Sequence, residues 1–180
     1  MRGRRPGTLA RTVAAAAALI ALVAALPAHG ATIDDRDLAR GTLDLKRLVA
    51  TKHDATAPLR LRLTTYHGWP ASLLDGQNRI RFLLNTDREG RYDFVGVVVY
   101  RDGGLVMRIW TRQGRLIRSV PVSHPSPDRI RATIPHGIPN PDGNVWIAAD
   151  ERYVGAVDGC TSICHDRIPN TGWLKVTPGS

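Results

Sequence analysis

The chain has 180 residues, of which 43% are hydrophobic and 23% are charged, and its formal net charge is +9 at pH 7. This length and composition predict one ordinary domain with enough apolar residues to form a core. No second apolar run approaches the length of a membrane span, so we expect the chain that follows the N-terminal run to be soluble. There is no internal repeat and no low-complexity linker.

The first thirty residues have the three parts of a secretory signal peptide. Residues 1–11 contain four arginines and no acid, residues 13–26 are apolar, and the small residues Ala28 and Gly30 follow. We predict that residues 1–30 are a signal peptide cleaved after Gly30 on the general secretory route. An uncleaved anchor is the alternative, although the run is shorter than the about 20 residues of a membrane span. Cleavage lowers the formal charge from +9 to +5, which weakens the case for a nucleic-acid partner.

Residues 31–40 contain the charged run Asp34-Asp35-Arg36-Asp37 and show no periodic apolar pattern. We therefore predict that residues 31–40 are a flexible leader and that residues 41–180 form a single domain. Within that domain apolar and polar residues alternate with period two, as in half-buried strands. The predicted strands are residues 43–50, 59–64, 79–84, 95–99, 105–110, 116–122, 130–134 and 145–153.

Turn residues separate these segments and no long helical pattern interrupts them. Asp102-Gly103-Gly104 predicts a tight hairpin, because glycine accepts the positive φ angles that such turns require. Residues 69–74 are compatible with one short helical turn. About eight strands without intervening helices predict an all-β fold, an antiparallel β-sandwich of the jelly-roll or immunoglobulin-like kind.

Two pairs of segments carry a family resemblance. In the first, Asn85-Thr86-Asp87-Arg88-Glu89-Gly90 ends one strand and Tyr92-Asp93-Phe94 opens the next; in the second, residues 130–135 are followed by residues 145–149. In this layout the chain resembles the carbohydrate-binding-module-family-9-like and DOMON-like sandwiches of exported proteins. Residues 160–173 also resemble uncharacterised secreted proteins of bacteria. The family resemblance implies a sandwich fold and a tendency to bind sugars or haem, and it identifies no ligand residue.

Cys160 and Cys164 are the two cysteines of the chain. In an oxidising compartment such a pair is expected to form a disulfide, here one that pins the C-terminal loop. Haem attachment is one alternative, with Met107 or a histidine as second axial ligand, although Cys160 to His165 is one residue longer than the usual motif. A zinc site that adds His165 and Asp166 is another.

Four side chains are candidates for ligand contact because aromatic faces pack against sugar rings: Trp69, Tyr66, Trp110 and Arg108. Packing within the sandwich is the alternative for each tryptophan. Asp87, Glu89 and Asp93 bring several oxygens into one turn, which suits Ca²⁺, and polar turn chemistry is the alternative there. Arginines that alternate with apolar residues would form a basic surface for a polyanion if their strands were neighbours, and otherwise a solvated face: Arg60, Arg62, Arg79, Arg81, Arg108, Arg129 and Arg131.

The histidines lack the spacing of any hydrolase motif, so we predict no enzymatic activity. The leading hypothesis is a secreted, non-catalytic binding module for an extracellular glycan or an anionic cell-wall polymer. The alternatives are an exported haem-binding redox module and a cation-stabilised structural protein of the envelope. We expect a monomer that binds no nucleic acid and, after signal cleavage, no membrane. No cofactor is expected; Ca²⁺ is kept as an alternative and haem is disfavoured.

Overall fold

The computed structural model describes residues 29–36, 41–86, 90–137, 143–155 and 159–179. The predicted signal peptide lies outside these ranges up to residue 28. Within them no helix is long and apolar enough to cross a membrane. Besides a 3-10 helix at Ala71–Leu74, the elements are β1 (Gly30–Asp34), β2 (Leu45–Thr51), β3 (Leu59–Thr65), β4 (Arg79–Asn85), β5 (Phe94–Arg101), β6 (Gly104–Thr111), β7 (Leu116–Ser126), β8 (Arg129–Ile134), β9 (Val145–Val154), β10 (Ile163–Ile168) and β11 (Leu174–Val176).

All strand pairs are antiparallel and follow one hydrogen-bonded path, in the order β1-β2-β3-β8-β7-β6-β5-β4-β9-β10, with β11 also paired to β9. The two ends of this path approach each other, since Leu45 N donates to Asp166 Oδ2 at 2.7 Å and Asn170 Nδ2 donates to Asp35 Oδ1 at 2.8 Å. The sheet therefore curls almost into a barrel. The all-β antiparallel prediction is confirmed, whereas the two stacked sheets of a sandwich are not what the pairing shows.

The predicted alternation correctly assigns the two faces of the sheet. In β3 the leucines at 59, 61 and 63 are buried while Arg60 and Arg62 are exposed. In β6 the outward residues are half-buried, and in β4 the outward Leu83 is buried as well. The inward side chains make one continuous core. Its largest fully buried members include Phe82, Leu43, Leu45, Leu48, Leu61, Leu63, Ile80, Met107 and Ile109.

Part of the predicted leader is a strand. Residues 31–34 belong to β1, which pairs with β2 from Gly30 opposite Thr51 to Asp34 opposite Arg47. Ala31 and Ile33 pack against the core, and the Asp34 carboxylate is ion-paired with Arg47. The expectation of irregular chain is wrong here, because a five-residue strand with two inward apolar residues is too short to show a period. Residues 37–40 lie outside the described ranges.

Glycine serves a structural purpose at two positions, one in a turn and one in a strand. Asp102 and Gly103 connect β5 to β6 with φ angles of 51° and 83°, so the predicted hairpin turn is confirmed. In β5, a Cβ atom on Gly96 would lie 2.6 Å from the Met107 sulfur. Glycine at this position lets the methionine fill the core.

The predicted disulfide is confirmed: Cys160 and Cys164 are bonded, with their Cα atoms 5.9 Å apart. Cys160 is buried in the core and Cys164 lies opposite Tyr153 of β9. The bridge thus ties the loop before β10 to the strand that it enters.

Removing this bridge by the double change Cys160→Ala and Cys164→Ala should lower the free energy of unfolding by about 2 kcal/mol or less, since so short a loop restricts the unfolded chain little. Urea unfolding of both proteins at pH 7 measures the difference. A loss above about 4 kcal/mol would show that the bridge does more than close this loop.

Candidate functional site

Six basic side chains of three neighbouring strands face outward together and are called the basic surface: Lys46, Arg47, Arg60, Arg62, Arg129 and Arg131. They face solvent because the residues between them in β3 and β8 point into the core. Two adjoining grooves of about 330 Å³ and 260 Å³ run over this surface, and Arg62 lines both. The sheet topology therefore builds a grooved cationic face.

Arg62 and Arg131 lie directly opposite each other in the β3–β8 pair. Like charges in this position repel and weaken strand pairing. Among the described residues, no acid forms a hydrogen bond or an ion pair with Arg60, Arg62 or Arg131. The centre of the basic surface is thus a repulsive arrangement that lacks an internal counter-charge.

A bulge adds a sixth cation to this surface. The β2–β3 register shifts between Leu45 and Arg47, so the side chains of both Lys46 and Arg47 are exposed. The Lys46 ammonium lies 5.2 Å from the centre of the Tyr66 ring, whose hydroxyl donates to the Asp35 carbonyl at 2.8 Å. The predicted contact residue Tyr66 therefore borders the basic surface, half-buried.

Two acids lie next to the basic side chains: Asp34 is paired with Arg47, and Asp128 lines the larger groove. Asp34 is ion-paired with Arg47, and this hydrogen bond lowers the pKa of the Asp34 carboxyl. Asp128 accepts a 2.6 Å hydrogen bond from the Ser126 hydroxyl, which lowers the pKa of Asp128. Both acids are ionised at neutral pH and offset part of the positive charge of the larger groove, whose lining includes Arg47 and Asp128.

Trp69 is not on the surface, contrary to its predicted role in ligand contact. Its side chain is 2% exposed and stacks on His124 with ring centres 4.4 Å apart. The indole N–H donates to Thr65 Oγ1 at 3.1 Å, and the Trp69 backbone N–H donates to the Pro127 carbonyl. These bonds fold the segment after β3 onto the β7–β8 turn, which buries the ring.

Trp110 and Arg108 lie together on the outer face of β6, both half-buried. The Arg108 guanidinium lies 4.7 Å from the centre of a Trp110 ring. Strand β7 separates them from β8, so these two candidates form a patch distinct from the basic surface.

The predicted Ca²⁺ ligands Asp87 and Glu89 lie outside the described residues. Asp93 lies within them, and its carboxylate accepts 2.7 Å hydrogen bonds from the Thr86 backbone N–H and hydroxyl, as expected of polar turn chemistry. In the described ranges no group of histidine, cysteine, aspartate or glutamate residues is spaced to hold a metal ion. Met107, considered as a haem ligand, is buried in the core, and both cysteines are bonded to each other.

A pocket of about 300 Å³ lies where the ends of the sheet meet, and sequence reasoning missed it. We call it the seam pocket; it is lined by Arg81, Asp150, Glu151, His165, Asp166, Arg167 and Asn170. Glu151 points inward from β9, on the same face as Val145, Ile147, Ala149 and Tyr153. A charged residue among these inward apolar residues is the sequence feature that could have indicated the pocket.

Glu151 is 2% exposed, and its Oε2 atom has no hydrogen-bond partner in the described part of the chain. Asp166 lies directly opposite it in β10. Burial, together with the charges of Asp166, Asp150 and Asp44, raises the pKa of Glu151 to about 8. Burial also raises the pKa of Asp166. Glu151 is therefore predominantly neutral at pH 7.

The other charged side chains of the seam pocket have their own partners. Arg81 donates two hydrogen bonds to the Asp150 carboxylate, at 2.6 and 2.8 Å. Arg167 donates to the carbonyls of Pro169 and Gly172 and lies over the Trp173 ring. The pocket thus has a polar rim around a buried carboxyl pair.

Comparison of the chain with protein-family models, with curated proteins and with solved structures gives no match. Its resemblance to the carbohydrate-binding-module-family-9-like and DOMON-like sandwiches stays a prediction.

Proposed function

We propose that this chain is an exported, non-catalytic binding module whose basic surface holds an anionic extracellular glycan or wall polymer. The observation that carries the proposal is the Arg62–Arg131 pair, two arginines placed opposite each other without an acid partner among the described residues. An anionic group bound between them relieves a repulsion that the free protein retains.

The chemistry of the side chains favours an extended anionic ligand. A guanidinium offers a planar fork of donors that matches a carboxylate, sulfate or phosphate group. The two grooves meet at Arg62, so one polymer strand can cross both and meet several arginines in succession. Trp110, beside Arg108, offers a separate aromatic face for a sugar ring of the same polymer.

The direct test is binding of polygalacturonate, with uncharged dextran of matched length as the control polymer. We expect polygalacturonate to bind, dextran not to bind, and the affinity to fall as NaCl is raised, because the contacts are ionic. Duplex DNA is the third ligand. Tighter binding of DNA than of polygalacturonate at 150 mM NaCl, about the physiological ionic strength, would contradict a glycan ligand.

Arg62→Glu should have two opposite effects. It turns the repulsive pair with Arg131 into an attractive one, which should raise the free energy of unfolding by about 0.2–1 kcal/mol. It also places an acid at the meeting point of the grooves, which should weaken polygalacturonate binding at least tenfold, or about 1.4 kcal/mol. Urea unfolding and calorimetric titration measure the two effects.

Arg112→Glu is the matched control, since it makes the same charge change at an exposed position on the turn after β6. It should leave binding within about twofold of the parent, equivalent to less than 0.5 kcal/mol. If both variants lose affinity equally, net charge rather than the basic surface holds the polymer.

A further inference from the structure

We propose that the seam pocket binds the ammonium group of a small polar amine, with the carboxylates of Glu151 and Asp166 as its partners. The ligand class is a monosaccharide-sized primary amine. The proposal is independent of the basic surface, which lies on other side chains and attracts the opposite charge.

The Oε2 atom of Glu151 has no hydrogen-bond partner in the described part of the chain. Buried polar atoms in native proteins almost always have a hydrogen-bond partner, so an exception needs an explanation. Glu151 is 2% exposed and lines the seam pocket, so a donor inside that pocket is in position to satisfy it. A ligand ammonium supplies three such donors.

The charges that line the seam pocket favour a cationic ligand. Arg81 is held by Asp150 and Arg167 by two backbone carbonyls, so both cations of the pocket are engaged elsewhere. The Asp166 oxygens are fixed by the backbone N–H groups of Leu45 and Arg167, both at 2.7 Å. A positioned carboxylate pair whose neighbouring cations are engaged by other groups attracts a cationic ligand.

The geometry of the seam pocket favours an ammonium over a metal ion. In the described residues no group of possible ligands is spaced for a metal. Hydrogen bonds to an ammonium are longer than Ca²⁺–oxygen bonds and make weaker demands on coordination. A volume of about 300 Å³ lies at the lower limit of small-molecule pockets, and the Asn170 amide and the His165 ring on the rim suit hydroxyl groups.

Binding should depend on pH because a proton competes with the ammonium for Glu151. The charged and titratable groups around Glu151 are Asp150 on its own strand, Arg81 of β4, Asp44 before β2, and His165, Asp166 and Arg167 of β10. The acids among them help to raise the pKa of Glu151 to about 8. The ammonium therefore displaces a proton at pH 6 and meets an increasingly ionised carboxylate as the pH approaches 8.

The test is calorimetric titration of the full chain with D-glucamine, against D-glucitol, which differs from it by a hydroxyl in place of the amine. We expect glucamine to bind at least about tenfold more tightly at pH 8 than at pH 6, since the ionised fraction of Glu151 rises with pH. Glucitol should not bind. Equal binding of glucitol, or no binding of glucamine at pH 8, would overturn the proposal.

Variants and CaCl₂ complete the experiment. Glu151→Gln and, separately, Asp166→Asn should each weaken glucamine binding at least tenfold, with folding verified by circular dichroism. Asp102→Asn is the matched control and should bind glucamine like the parent, because the Asp102 side chain is exposed at the β5–β6 turn. Arg62→Glu should also bind glucamine unchanged, so failure here is separable from failure at the basic surface. If the parent binds Ca²⁺ but not glucamine, and Glu151→Gln abolishes the Ca²⁺ binding, the seam pocket is a metal site and the amine proposal is wrong.

Discussion

Replacing Glu151 with glutamine is expected to stabilise the protein, and increasingly so as the pH rises. The pKa of Glu151 is about 8 in the folded protein against 4.5 for the ordinary group. Between these two values the folded state binds more protons than the unfolded state, so the stability of the parent falls as the pH rises. The glutamine variant keeps the shape of the neutral acid and lacks this titration. We expect it to be more stable by on the order of 3 kcal/mol at pH 7 and by little at pH 4.5.

Urea unfolding of the parent and of Glu151→Gln at pH 4.5, 7 and 8.5 measures this difference. The raised pKa of Asp166 acts in the same direction and remains in the variant. The fall of the variant's free energy of unfolding with pH should therefore be smaller than that of the parent but not absent. Asp102→Asn is the control and should follow the parent at every pH. If the free energy of unfolding depends on pH equally in the parent and in the glutamine variant, the pKa of Glu151 is not raised in the folded protein.

The second large effect is expected at Trp69. Trp69→Ala removes a buried ring together with its stacking on His124 and its hydrogen bond to Thr65. The loss should be about 3–5 kcal/mol of unfolding free energy, the range for large aromatic residues in cores. Thermal and urea unfolding with near-ultraviolet circular dichroism report it.

Trp110→Ala is the comparison, because that ring is half-buried on the outer face of β6. It should cost less than about 1.5 kcal/mol, the level of a cation–π contact and partial packing. Polygalacturonate binding by folded Trp69→Phe should equal that of the parent. A specific loss of binding in Trp69→Phe, with stability unchanged, would restore Trp69 as a contact residue.

Sequence patterns predicted strands β2 to β9 and missed β1, β10 and β11. In β3 leucines alternate with arginines, and the strand lies where the pattern placed it. In β10 the inward residues are Cys164, Asp166 and Ile168, so a polar side chain interrupts the inward series. Alternation also says which face a residue occupies but not which strand it meets. The curled single sheet depends on the β3–β8 and β4–β9 pairs, which join distant segments.

The same limit explains what could be predicted of the sites. The outward direction of Arg62 and Arg131 follows from the pattern, but their direct opposition follows from the β3–β8 register. Arg81, predicted in the same set, instead lies beside Asp150 because β4 pairs with β9. Trp69 adjoins Pro70 in a segment without a period, so its burial depended on a contact with the distant Pro127 carbonyl.

The pairing of β3 with β8 and of β4 with β9 has a consequence for the order in which the chain can assemble. Strands β4 to β8 follow one another as a meander, which needs only neighbouring segments to form. In contrast, Leu61 pairs with the distant Ala132, and Phe82 pairs with the distant Ala149, so these pairs form only after the intervening chain has been brought together. Distant pairings of this kind slow folding, commonly to milliseconds or seconds. A slow closure suits a chain predicted to cross a membrane before it folds, and a chain stopped before β9 would leave the edge of β4 open to association.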